Sequence, residues 1–183
     1  MNKIPIIYDT DCLSCFLIVN QEELLQKLFN KIIIPKQVYD EFQKSNIDKI
    51  IRNLKKLIND KFIEIYDFEI NSPEHLMYMG LKKGNFTDKK LGKGESAALA
   101  ITSMQEGILA SNNTKDVITV VKEWNLSWIT TGDILIKAYE KNLITEEKGN
   151  YIWVDMINKN RFLPAESFSE YLHDESKHPP NYL

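Results

Sequence analysis

The chain is poor in the residues that build cages from soft metal ligands. Its 183 residues include only two cysteines and three histidines. Cys12 and Cys15 stand at Cys-x-x-Cys spacing, but a structural zinc needs a second ligand pair, and no suitably spaced Cys or His pair follows. Both thiols are expected on the buried side of a first helix. Long apolar runs are missing too, since nothing approaches the ~20 residues of a membrane span. Asp9 and Asp11 interrupt the N-terminal apolar run, which excludes a signal peptide. A soluble, cytoplasmic protein with no membrane association is expected. Charge of one sign is also lacking: 23 Lys and Arg against 26 Asp and Glu give a net charge of −3. The whole molecule therefore does not attract nucleic acid, and any such contact must come from a local patch. There is no internal repeat or low-complexity stretch. The length, with 43% hydrophobic residues, suffices for one well-buried domain or one domain with an appendage.

What is present is organised around Ile4-Pro5-Ile6-Ile7-Tyr8-Asp9-Thr10-Asp11. This is a short β-branched run that ends in two carboxylates one residue apart. Uncharged strand residues call for burial on both faces, as in a central parallel strand. In open α/β sheets the ligand site lies beyond the carboxyl ends of such strands. An aspartate there can hold a metal, or it can simply cap the following helix.

Further along, Leu13 to Val19 and Glu22 to Phe29 read as one or two helices, and Lys31 to Pro35 as a second strand. A helix with Val38, Tyr39 and Phe42 on one face follows, carrying Asp40 and Glu41 between them. Residues 47–60 form a strongly amphipathic helix, and 62–68 alternate as a strand. Ser72-Pro73 opens the next helix. Gly80 and Gly84 are expected to loosen the chain into a loop holding Lys82, Lys83, Lys89, Lys90 and Lys93. Leu91 to Glu95 lacks the spacing of a Walker loop and instead starts a helix with a small inner face, Ala97, Ala98 and Ala100, ended by Gly107. Strands at 108–110 and 126–130 flank a helix beginning near Thr114, with Asn113 a good N-cap, and Asp133 leads into another helix. Alternating strands and helices imply a mostly parallel sheet covered on both faces. We therefore expect a three-layer α/β/α sandwich over residues 1–142. A C-terminal helical extension, 143–183, should pack on it and fray around Pro179-Pro180.

Acids at strand and helix ends have ordinary uses, because they favour the helix dipole. Together, however, Asp9, Glu95 and Asp116 with Asn113 gather acids and an amide on one sheet edge, where repulsion calls for a cation. Oxygen ligands that leave room for water suit Mg²⁺ or Mn²⁺. At these positions the sequence resembles the PIN-domain family of metal-dependent ribonucleases, which includes the VapC-like toxins of bacterial toxin–antitoxin pairs. Asp9-Thr10 is similar to the family's Asp-Thr-Ser motif, with Asp11 in place of the Ser. Ile34-Pro35-x-x-Val38-x-x-Glu41 resembles the segment carrying the second acid. Gly92-x-Gly94-Glu95-x-x-Ala98-x-Ala100 resembles the Gly-Glu-Ala-rich helix start of one branch. Ser111 to Val117 looks like the Thr-x-Asn-x-x-Asp/Glu-Phe motif, though Asn113 stands where many members have Asp. The resemblance covers roughly residues 4 to 140.

The resemblance implies a PIN-like fold and hydrolysis of an RNA phosphodiester by a metal-activated water. It implies Asp9, Glu41, Glu95 and Asp116 as catalytic acids, of which Asp9, Glu95 and Asp116 hold Mg²⁺ or Mn²⁺. Asn113, Asp11 and Thr10 are accessory, and Lys82, Lys83, Lys89, Lys90 and Lys93 are candidates for RNA phosphates. It also implies a cognate antitoxin. The apolar helices between 13 and 58, with Phe16, Phe29, Tyr39 and Phe42, offer either core, a groove for that antitoxin or a homodimer face. The rival readings are a catalytically weak RNA-binding or scaffold protein, a housekeeping RNA-processing nuclease, a flap-type DNA nuclease and a response regulator. The last lacks a placeable phosphoacceptor.

Overall fold

Parallel strands need crossover connections, usually helices, and every pair of consecutive strands in this chain is joined through at least one helix. The computed structural model describes residues 4–87 and 90–178, with the backbone alone at Thr114. Its elements are β1 (Ile6–Tyr8), α1 (Thr10–Ile18), α2 (Glu22–Leu28), β2 (Ile32–Pro35), α3 (Lys36–Lys44), α4 (Asp48–Asn59), β3 (Ile63–Tyr66) and α5 (Pro73–Lys83). Then come α6 (Lys93–Gln105), β4 (Ile108–Ala110), α7 (Thr114–Glu123), β5 (Ser127–Ile129), α8 (Thr131–Glu140), α9 (Glu146–Asn158), α10 (Phe168–His173) and a 3-10 turn (Glu175–Lys177). The five strands lie in the order β3-β2-β1-β4-β5. All four pairings are parallel, with Tyr8 beside Ala110 and Ala110 beside Ile129. The chain runs outward from β1 through β2 and β3, then returns to β1's other side with β4. The gap between β1 and β4 is thus a topological switch point, where α/β sheets bind ligands.

Strand alternation splits the core in two. Ile6, Tyr8, Ile32, Ile34, Ala110 and Ile129 face a cluster fed by α1, α4, α8, α9 and α10, whereas Ile7, Leu109 and Trp128 face α5, α6 and α7. This is the expected three-layer sandwich. α6 lies close on the sheet because Ala97, Ala98 and Ala100 are fully buried. The helical extension belongs to the first cluster: Trp153, Phe168 and Tyr171 pack in the same core as Phe16.

Several local expectations fail for physical reasons. Gly80 does not open a loop; it lies inside α5, where Phe86 folds back onto the space a side chain would fill. Gly84 does end that helix, in the left-handed conformation at φ 79°. Glu106, not Gly107, takes the left-handed position after α6. Phe16 and Phe42 are buried, and Phe29 and Tyr39 are half-buried against the core, so the apolar content of residues 13–58 is mostly interior. The expected fraying at Pro179-Pro180, like Lys89, lies outside the described residues. Among the described residues no helix is long and apolar enough to cross a membrane.

Candidate active site

Asp9, Glu95 and Asp116 each stand at the start of a helix, whereas Glu41 comes from the body of α3. β1 stops at Tyr8, and the Asp9 N–H still bonds to the Ala110 carbonyl (3.0 Å), which holds Asp9 at the sheet edge. Asp9 is the N-cap of α1: its Oδ1 accepts the Cys12 N–H at 2.8 Å. That satisfies one orphan donor of the helix. The carboxylate is almost fully buried, at 3% exposure. Burial pushes its pKa from the ordinary 3.8 up to about 7, with the charges of Asp11 and Glu95 adding to the rise and hydrogen bonds from Ser111 and Cys12 opposing it.

Glu41 projects from α3 and ties three elements together. Its Oε1 accepts the Gly94 N–H at 2.9 Å, and its Oε2 accepts the Thr10 hydroxyl. The approach requires a glycine at 94: a Cβ there would lie 2.7 Å from Glu41 Oε2, 2.9 Å from Thr10 Oγ1 and 3.0 Å from Val38 Cγ2. One turn-length of α6 therefore carries both the gap that admits Glu41 and the next acid, Glu95.

Glu95 and Asp116 are bridged by an amide. Asn113, the N-cap of α7, accepts the Asp116 N–H at 3.3 Å through Oδ1 and donates from Nδ2 to Glu95 Oε1 (2.7 Å) and Asp116 Oδ2 (3.0 Å). Burial lifts Glu95 from 4.5 to about 7; the Asn113 and Gly92 hydrogen bonds work against this, and the Asp116 and Asp11 charges with it. Asp11 itself is exposed at the rim. The fold thus assembles Asp9, Thr10, Asp11, Glu41, Glu95, Asn113 and Asp116 at one edge.

The predicted lysines sit differently. Lys82 and Lys83 end α5, where Lys82 stacks over the Tyr78 ring at 5.3 Å. Lys90 is exposed before α6, and Lys93 begins it. A cleft of about 410 Å³ opens beside Asp11 and Asn113, lined also by Cys15, Asn112, Lys115, Asn160, Arg161 and Phe162. Its cations are Lys115 and Arg161, which sequence reasoning did not single out. Asn112 was also missed. Its Oδ1 accepts the Thr131 N–H (2.9 Å) and its Nδ2 donates to Thr131 Oγ1 (2.9 Å), fixing the loop after β4 to the start of α8. Trp128 Nε1 holds the same loop through the Ser111 carbonyl at 2.9 Å. Cys12 and Cys15 are free, buried thiols, and burial raises Cys15 to about 12.

The donor set is all oxygen, and two of its acids are held near neutrality by burial and mutual repulsion. Such a set fits a hard divalent cation, which would relieve both. Among the described residues, though, no three His, Cys, Asp or Glu side chains are disposed as a ready cage.

No curated protein sequence matches the chain significantly. Among solved structures it is similar to VapBC2 from Rickettsia felis bound to a promoter DNA fragment, at 22% identity and TM-score 0.46 over 69% of this chain and 98% of the other. It is also similar to DNA-bound VapBC from Salmonella typhimurium (14%, 0.47, over 70% and 99%). VapBC-1 from nontypeable Haemophilus influenzae gives 15%, 0.48, over 70% and 98%. The sequence model of the PIN domain matches residues 5–177, from the first residues of the sheet to the turn after α10. With nearly its whole length spanned by that match, the chain belongs to the PIN-domain family.

Proposed function

We propose that this protein is a divalent-metal-dependent endoribonuclease acting as the toxin of a type II toxin–antitoxin pair. The observation that carries the reading is the pair Asp9 and Glu95, one carboxylate buried and the other half-buried, both raised to about 7. A bound Mg²⁺ or Mn²⁺ supplies a water of lowered pKa and neutralises charge on the attacked phosphoryl group. Asp9, Glu95 and Asp116 would hold the ion. Asn113 keeps Glu95 and Asp116 in register, and Glu41 ties the start of α1 to the start of α6. Burial excludes bulk water from Asp9 and strengthens its pull on a cation.

A nuclease of this kind harms its own cell, so the reading includes a protein antitoxin that blocks the site, and self-association of the toxin. A second reading, an RNA-binding protein with weak or no cleavage, has its own support in Asn113, whose amide already satisfies Glu95 and Asp116 without a cation. The test is incubation of the purified protein with a structured RNA in Mg²⁺, Mn²⁺ or EDTA. Cleavage that needs metal and is lost in Asp9→Asn is expected, and binding without metal-dependent cleavage favours the second reading. Growth inhibition by wild type but not Asp9→Asn, relieved by the neighbouring reading frame, tests the toxin assignment.

A further inference from the structure

Part of the cleft's lining, Asn160, Arg161 and Phe162, comes from the turn after α9. Phe162 on that turn is 90% exposed, more than any other large apolar side chain among the described residues. The turn is not a loose end. Asn160 takes the left-handed conformation (φ 59°), and the Asn160 and Arg161 N–H groups bond to the Ile157 and Met156 carbonyls at 2.9 and 3.0 Å. Arg161 Nη1 donates to Ser14 Oγ on α1 at 3.0 Å, and its Nε to the Lys159 carbonyl at 3.2 Å. Just beyond, Leu163 is buried and the Ala165 carbonyl accepts Trp153 Nε1 at 3.0 Å. A pinned backbone on both sides therefore holds an aromatic ring out in water, at the edge of a cleft whose two cations outnumber its one acid, Asp11.

A solvent-facing ring on a held backbone, next to an arginine oriented by its own hydrogen bonds, is an arrangement that binds a single strand: bases stack on the ring and the backbone follows the positive charge. We propose that Phe162 and Arg161 form a substrate-strand site in which an unpaired base stacks on Phe162. Arg161, with Lys115 of the same cleft, takes the phosphates leading toward Asp9 and Glu95. The choice of RNA rests on the nuclease reading above. The ring is sequence-tolerant, because every base has a π-face. The site demands an unpaired nucleotide, since a base inside a duplex cannot reach a protein ring without leaving its stack. Two of the five guanidinium donors of Arg161 are engaged within the chain, which orients the rest of the group without using it up.

The test measures binding in EDTA, where no metal-dependent cleavage occurs, by the anisotropy of a short fluorescein-labelled oligouridylate on the full-length protein. Phe162→Ala should weaken binding about 5- to 150-fold, the equivalent of about 1–3 kcal/mol for one stacked base. Phe162→Trp should bind as wild type, and Phe162→Leu should bind as poorly as Ala. Arg161→Gln should weaken binding and flatten its salt dependence by about one phosphate contact. Phe162 touches no core, so its variants should melt as wild type does. Equal binding by wild type and Phe162→Ala, or by Phe162→Leu and Phe162→Trp, overturns the proposal. So does competition by duplex RNA as effective as that by single strands. If Phe162→Ala binds normally while Asp9 remains essential for cleavage, this site falls and the nuclease stands. If the variants weaken binding but no RNA is ever cut, the site stands and the nuclease falls.

Discussion

Replacing Asp9 by asparagine should make the metal-free protein more stable, although it destroys the proposed site. The folded-state pKa of Asp9 is about 7 against an ordinary 3.8. Because the folded value is the higher one, the native state retains a proton that the unfolded chain has released between these values. Stability is therefore lost as pH rises through the window from about 4 to about 7. At ~1.4 kcal/mol per pKa unit, the ionised carboxylate costs the fold up to about 4 kcal/mol above that window. Asparagine keeps what Asp9 contributes locally, since its side-chain oxygen can still accept the Cys12 N–H and Asn ranks with Asp as an N-cap. A domain of this size gains ~2–4 °C per kcal/mol, so Asp9→Asn should melt up to about 8–16 °C above wild type at pH 8 in EDTA. Below pH 4 the two should nearly coincide. Added Mn²⁺ should narrow the gap at pH 8, because an ion that binds only native wild type stabilises only that protein. The assay is thermal unfolding across pH 4–8 with and without metal. A variant that melts below wild type at pH 8, or a gap that does not widen with pH, would refute the view that Asp9 is a destabilised anion awaiting a cation.

The remaining predictions concern the groups around it. Gly94→Ala drives a methyl into Glu41 and Thr10; it should cost about 1–3 kcal/mol, the usual range for overpacking, and cleavage should fall with it, as urea titration and an RNA assay would register. Asn113→Asp replaces a donor to Glu95 and Asp116 with a third charge, so the metal-free protein should lose stability at pH 8 while calorimetry finds tighter Mn²⁺ binding. Tyr171→Phe removes the hydroxyl that donates to the buried Asp133 at 2.8 Å; a lost bond to a charged group costs about 1.5–3 kcal/mol, measurable as a lower urea midpoint at neutral pH.

Much of the site was legible because it is written locally. A β-branched run ending at Asp9, a Gly-x-Gly-Glu before small residues, and an Asn three residues ahead of an Asp each name a strand end or helix cap. Ends of parallel strands share an edge. The parallel pairing of the strands followed from the same alternation, though not their order, and the thin inner face of α6 followed from its alanines. Errors arose where a residue's state depends on distant contacts. Gly80 looked like a breaker, but Phe86 returns over it and the helix continues. The sequence pattern puts Lys82 and Lys83 on a loop, but they form the last turn of α5, with Lys82 over the Tyr78 ring, and the cations lining the cleft are Lys115 and Arg161. For Phe29 and Tyr39 the sequence leaves core, groove and dimer face open, because it does not reveal how much apolar surface the first layer absorbs; both pack half-buried against the core.

Arg161 marks where sequence reasoning loses its hold. It bonds to Ser14 across 147 residues of chain, and no periodicity or cap signal links two positions so far apart. The extension beyond α8 reads as an appendage, because it follows the last strand and carries no acid of the motif. In the fold, Tyr171 donates to Asp133 and meets Thr130 at the start of α8. That places the extension's aromatic layer directly beneath the loop joining β5 to α8. The same α8 start receives Asn112 through Thr131, and Asn112 adjoins the amide that spans Glu95 and Asp116. Burial of Trp153, Phe168 and Tyr171 thus fixes one end of a hydrogen-bonded chain whose other end is the acid pair. The segment that supplies Phe162 to the cleft also holds the acids' loop in place. Substrate contact and site geometry are therefore set by one packing event, the docking of α9 and α10 onto α1 and α8.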